Sequence, residues 1–147
     1  MDQTIRNLMR ERGGRIHSIE PEAMVAEAVQ RMNNLNIGAL TVVDGDTLKG
    51  IFTERDVLRR VIDGNLPPDD TPVWRVMTSK LVVVRPETTI GEAMALVDQY
   101  NCRHLPIVDN DRLLGMVSVR DLIGHLVEEH EHRIAELTKY IYGEFGN

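Results

Sequence analysis

The chain has 147 residues, 42% of them hydrophobic and 27% charged, with 17 Lys plus Arg against 23 Asp plus Glu and a formal net charge of −6. That length suits one compact unit burying roughly two thirds of its unfolded surface. The acidic balance argues against a nucleic-acid binder, which needs a basic face to neutralise phosphates, and no apolar run reaches the ~18 residues of a membrane span. A single cysteine, Cys102, excludes an internal disulfide; residues 1–14 hold no apolar stretch of signal-peptide type, so the expected compartment is a bacterial-type cytoplasm.

Ile5, Leu8 and Met9 recur at helical spacing in residues 2–12, and Gly13-Gly14 breaks that helix. A short strand is predicted over Ile16–Ile19, ended by Pro21. A helix follows over Glu22–Leu35, with Met24, Val25, Ala28, Val29, Met32 and Leu35 on one face. Ala39–Val43 reads as a strand, Asp44-Gly45-Asp46 as a hairpin turn, and Leu48–Phe52 as the returning strand. Thr53 opens a helix to about Ile62. Residues 63–70, rich in Asp, Gly and Pro, form a linker too short to separate independent domains.

The order then repeats. Residues 15–62 match 80–127 at a constant offset of 65 without a gap. Pro21-Glu22 answers Pro86-Glu87, Glu27-Ala28 answers Glu92-Ala93, Asn36 answers Asn101, and Arg55-Asp56 answers Arg120-Asp121. The second unit predicts a strand over Leu81–Val84, a helix over Thr89–Tyr100, strands over His104–Val108 and Leu113–Val117, and a helix from Ser118. Val73, Val76 and Met77 repeat the short pattern of the N-terminal helix. Each unit is therefore β-α-β-β-α, and the two pack about a pseudo-two-fold axis into one module, with residues 1–67 as the first half and 68–147 as the second. The fold class is α/β in the broad sense (α+β). Ile123, Val127, His130, Ile134, Leu137 and Ile141 continue the last helix in a heptad-like seam, facing either a second subunit or the chain's own domain.

The most informative stretch is written twice: Gly50-Ile51-Phe52-Thr53-Glu54-Arg55-Asp56 and Gly115-Met116-Val117-Ser118-Val119-Arg120-Asp121. Each is a strand-to-helix turn, where free N–H groups and the helix dipole attract anions. A carboxylate suits the cis-diol of a ribose, and a guanidinium fork suits phosphate. Ile37, Gly38 and Ala39 in the first half, and Cys102, Arg103 and His104 in the second, offer a slot for a base; His17 and its counterpart Val82 stand at the cleft edge. Gly38-Ala39 is small and neutral where Arg103-His104 is large and basic, so two unequal sites are expected. The second suits a phosphorylated ligand, the first a bulkier or less charged one. The same Thr/Ser-x-x-Asp spacing fits a helix-capping box. Capping accounts well for the hydroxyl and less well for Asp, since Glu or Gln is the usual partner; it leaves Arg55 and Arg120 unexplained.

Taken together, Gly50-x-x-Thr53-x-x-Asp56, Gly115-x-x-Ser118-x-x-Asp121, Val76-Met77-Thr78 and the run Arg103-His104-Leu105-Pro106-Ile107-Val108-Asp109 resemble the CBS-domain pair, or Bateman module, of the small stand-alone type. The resemblance covers roughly residues 3–130. It implies a regulatory module without a reaction or catalytic cofactor of its own. Such modules bind an adenosine-containing ligand such as AMP, ATP, NAD(H) or S-adenosylmethionine between the repeats. It further implies Asp56 and Asp121 as ribose ligands, Thr53 and Ser118 (with Arg55 and Arg120 beside them) at phosphate, a cleft that Pro106 helps line, and a homodimer acting on an enzyme or other protein partner.

The remaining candidates read as structural. Cys102 is a small apolar filler, and Trp74 a packing anchor near the linker. Met24, Met32, Met77, Met94 and Met116 read as core. His125, His130 and His132 lie among acids at a spacing that does not share one helical face, so a solvated surface is expected there rather than a metal site.

Overall fold

The computed structural model describes residues 3–12 and 16–129. The Gly13-Gly14 break, His130, His132 and the seam from 130 to 141 lie outside the described residues. In the first repeat, β1 (Ser18–Ile19) runs parallel to β2 (Ala39–Asp44), which pairs antiparallel with β3 (Thr47–Thr53) in the order β1-β2-β3. Gly45, at φ 63°, makes the β2–β3 turn. The α2 helix (Val25–Leu35) lays Val25, Ala28 and Met32 into the core. It starts later than the sequence pattern predicts because Met24 is still extended, and its first donors leave the helix: Val25 N–H bonds Thr71 O at 2.8 Å and Ala26 N–H bonds Pro68 O at 3.0 Å. The linker is thus the N-terminal cap of α2. Asn36 closes α2 in the left-handed conformation (φ 54°), as Asn101 does for its counterpart (φ 51°). This is a physical reason for asparagine at both positions. After β3, α3 (Glu54–Asp56) continues as a π-helical segment, Val57–Ile62.

The second repeat keeps α5 (Ile90–Tyr100), the hairpin β4 (His104–Asp109) and β5 (Arg112–Ser118), and α6 (Val119–Glu129). The strand predicted over 81–84 is reduced to one parallel bridge, Val84 with Ile107. Pro106 supplies the reason. In the first repeat Thr41 N–H bonds His17 O at 3.0 Å. The corresponding bond would run from residue 106 to Val82 O, and proline has no N–H to give.

The core has two parts, and each repeat lends a helix to the other. α1 (Ile5–Arg12), which precedes the first repeat, buries Ile5 and Leu8 with Val84, Ile90, Leu105 and Leu122 of the second. Its Ile5 N–H bonds Thr88 O at 2.8 Å, and Ile90 N–H answers to Gln3 O at 2.9 Å. α4 (Val73–Val76), which precedes the second repeat, buries Val73 and Val76 with Val25, Leu40 and Phe52 of the first. α4 is one turn long, so the residues between its two buried valines face outward. Trp74 is therefore 54% exposed rather than a packing anchor. Met24, at the α2 cap, is also exposed, and only Met32 of the five methionines predicted as core is fully buried.

His125 departs from the expected solvated face. It is 3% exposed, with Nδ1 2.9 Å from Glu11 Oε2 of α1. It shares the inner stripe of α6 with Leu122 and Leu126, while Ile123 and Val127 stay exposed. Arg12 bonds Glu128 at 2.8 Å beside it, so α1 is tied along α6.

Gly50 marks the place where the chain between repeats returns to β3. Ile51 and Thr78 exchange backbone bonds at 2.9 Å each, and a Cβ on Gly50 would stand 2.7 Å from Thr78 O. Gly50→Ala is expected to cost about 2 kcal/mol in urea unfolding, since backbone and not a flexible side chain must move. A cost under a few tenths would show that the segment yields freely.

Candidate functional site

Both copies of the motif form a reciprocal cap. Thr53 Oγ1 accepts Asp56 N–H at 3.2 Å while Asp56 Oδ2 accepts Thr53 N–H at 3.0 Å. Ser118 Oγ accepts Asp121 N–H at 3.1 Å while Asp121 Oδ2 accepts Ser118 N–H at 2.9 Å. Aspartate therefore fills the place usually taken by Glu in both boxes.

Beyond the cap the two copies differ. Asp56 is buried, and both its oxygens are engaged: Oδ2 also accepts Thr53 Oγ1–H at 3.2 Å, Oδ1 accepts Thr78 Oγ1–H at 3.0 Å, and Arg60 Nε stands 3.8 Å from Oδ1. Arg60 in turn donates to the carbonyls of Val76 and Met77 at 3.2 and 2.7 Å. The first motif thus grips the segment between the repeats. Arg55 donates across to Asn101 O, the cap of α5, at 3.1 Å. At the second motif Asp121 Oδ1 accepts no bond among the described residues, and Arg120 has no partner among them.

Asp121, Arg120 and Ser118 line a cavity of about 1020 Å³ between the repeats. It also takes in His17, Ile37, Gly38, Ala39, Cys102, Arg103 and His104. Thr53, Arg55, Asp56, Val82 and Pro106 are not part of its lining. Gly38-Ala39 and Arg103-His104, expected to face separate sites, both line this one cavity. Sitting near the pseudo-two-fold axis, the cavity collects both members of several repeat pairs, among them Met32 with Val97, Asn36 with Asn101, Gly38 with Arg103, and Glu54 with Val119. Asn33, Met116 and Ile123 complete the lining. Sequence reasoning missed Asn36, Asn101 and Glu54. The repeat register is the signal that finds them, once a cleft on the axis is recognised as shared.

Burial pushes the His104 imidazole below its ordinary value of 6.5; Asp121 and Glu54 nearby pull it back up, and Arg103 adds to the lowering. The Cys102 thiol is pushed up, chiefly by burial. With its folded-state value depressed, His104 binds fewer protons folded than unfolded just below pH 6.5. Stability from this group is complete above that pH and is lost as the pH falls through the window. His104→Gln should flatten the decline in urea-unfolding stability between about pH 7 and pH 5. An unchanged slope would assign that decline to other groups.

Comparison with known proteins places this architecture. The CBS domain model matches residues 5–63 and again 73–128. The chain belongs to the CBS-domain family. A mitochondrial CBS domain-containing protein of Arabidopsis thaliana is 38% identical over 126 residues, 82% of this chain and 61% of that protein's length. A solved protein with CBS domains from Burkholderia ambifaria superposes with a TM-score of 0.82 at 34% identity, covering 86% of this chain and 95% of the other. The hexameric CBS-CP12 protein from bloom-forming cyanobacteria superposes with a TM-score of 0.74 at 25% identity, covering 99% of this chain and 91% of that one. The protein is a CBS-domain pair, a regulatory type of module. Among the described residues of this CBS pair, no helix is long and apolar enough to cross a membrane, and no group of three or more His, Cys, Asp or Glu could hold a metal ion.

Proposed function

We propose that this CBS pair is an adenine-nucleotide-responsive regulatory module whose ligand occupies the cleft at Asp121. The observation that carries the reading is the contrast between two copies of one motif. Asp56 has both oxygens engaged, whereas Asp121 keeps one carboxylate oxygen without a partner among the described residues, in a cavity between the repeats. In this reading Asp121 accepts both hydroxyls of a ribose. The hydroxyl of Ser118, the guanidinium groups of Arg120 and Arg103, and the start of α6 hold phosphate. Ile37, Gly38 and Ala39, with Met116 and Val97, cover the base, and His17, Cys102 and His104 complete the wall. AMP, ATP, NAD(H) and S-adenosylmethionine all carry the required adenosine. Thr53, Arg55 and Asp56 act as a structural latch, so the capping reading applies to the first motif.

Ligand affinity that differs between two poses of the repeats would shift their balance and be read at an outer surface. Exposed Val127 on α6, one turn beyond Ile123 of the cavity lining, offers such a surface to a second copy, making a homodimer, or to a regulated enzyme or other protein. The module carries no reaction of its own in this reading and works in the cytoplasm. Calorimetry with AMP, ATP, NADH and S-adenosylmethionine tests it, together with mass spectrometry of nucleotide co-purifying from cells. One ligand per chain is expected. Absence of binding by all four sinks the proposal.

A further inference from the structure

The cleft is polarised across its own pseudo-symmetry. Glu54 N–H bonds Gly38 O at 3.0 Å, and at the matching position Val119 N–H bonds Arg103 O at 2.9 Å. The two pairs are thus held alike by the backbone and differ only in side chains. One pairs a glycine with an acid, the other an arginine with a valine. The Glu54 carboxyl carbon lies 3.4 Å from where a Cβ on Gly38 would be, and its oxygens lie 3.5 and 3.6 Å away, so the acid rests on the glycine. The Glu54 carboxylate has no hydrogen bond or ion pair among the described residues and lines the cavity. Its charge also acts on His104, together with that of Asp121. Arg103 and Arg120 supply the positive groups of the same lining.

An ionised carboxylate only accepts hydrogen bonds. Beside a base lying against Ile37–Ala39, it welcomes an amino group and opposes a carbonyl, which leaves two acceptors facing each other with no proton between them. We infer that Glu54 is a specificity-determining residue of the cleft, accepting the exocyclic amino group of a 6-aminopurine and rejecting a purine that presents a carbonyl at that edge. The inference rests on the proposed binding of the base at Ile37–Ala39. It names what that cleft selects, and it assigns the selection to the first repeat although the ribose and phosphate groups come from the second.

AMP and IMP differ at this edge and share ribose and phosphate, so the pair isolates the effect. Calorimetry on the full chain should show AMP binding about tenfold more tightly than IMP, the size of one lost hydrogen bond to a charged group. Glu54→Gln places an amide that donates to a carbonyl as readily as it accepts from an amine. It should bring the two ligands within about twofold, with the melting temperature unchanged. Glu54→Ala should lower AMP affinity and leave IMP affinity level or improved. If both variants keep the wild-type AMP-to-IMP ratio while Asp121→Ala still removes binding, Glu54 is a surface acid and the inference is overturned alone. If the wild-type chain binds neither AMP nor IMP, the reading of the cleft falls and the inference falls with it.

Discussion

Asp121→Ala should weaken AMP binding by about a hundredfold while the protein remains folded. The magnitude follows from two hydrogen bonds between a carboxylate and the ribose hydroxyls, at about 1.5 kcal/mol each. The same change also removes the reciprocal bond at the start of α6, where Asp121 accepts Ser118 N–H at 2.9 Å. Loss of such a cap costs about 1 kcal/mol, roughly 3 °C in melting temperature for a chain of this size. A large affinity effect beside a small thermal one is the signature of a ligand group. Asp121→Asn keeps the shape and one acceptor, and should fall between wild type and alanine. Calorimetry and a thermal scan on the same samples check both halves. AMP affinity of Asp121→Ala within about threefold of wild type would remove Asp121 from the site.

Asp56→Ala should do the reverse. The Asp56 carboxylate is buried and holds Thr53 N–H, the Thr53 hydroxyl and the Thr78 hydroxyl, with Arg60 near. Truncation strands those donors and frees the segment that closes on β3. The expected loss is about 3 kcal/mol in urea unfolding, with a fall near 10 °C in melting temperature. AMP affinity of the folded fraction should stay within about threefold of wild type. A variant of normal stability that no longer binds AMP would return Asp56 to the role that the motif resemblance implies. The two aspartates, which close the same Gly-x-x-Thr/Ser-x-Arg-Asp motif, are thus expected to separate cleanly into one that binds and one that holds.

Much of this architecture is legible in the chain. A register kept over four elements at an offset of 65 gives both repeats, and Asn36 with Asn101 marks the same left-handed helix end twice. The losses have local causes. Residues 81–84 have the apolar composition of a strand, but the missing donor lies on the partner, Pro106, and composition does not report a partner's chemistry. His125 falls on the same helical stripe as Leu122 and Leu126, yet a histidine gives no sign of its depth until α1 and Glu11 are laid over it. Trp74 looks like an anchor because of its size, while the one-turn spacing of Val73 and Val76 had already taken the inner face. Each repeat taken alone offers its own slot for a base; only packing shows that positions 38 and 103 line the same space. The fate of Asp56 was equally hidden, since Thr78, which engages it, belongs to the chain segment of the other half.

The exchanged helices carry a consequence for how such a chain arises. A single repeat with its own leading helix has a core lacking one wall and a helix lacking a core. Two copies complete each other, α1 closing the second core and α4 the first. The molecule is in effect a domain-swapped pair whose partners have been joined covalently. Gene duplication with fusion then needs no new packing solution, only a connecting segment long enough to span the existing exchange. Once joined, the halves are free to lose their equivalence where ligands meet them. They remain bound to each other's hydrophobic interior, so divergence at the cleft is tolerated while the leading helices must drift in step with the opposite repeat.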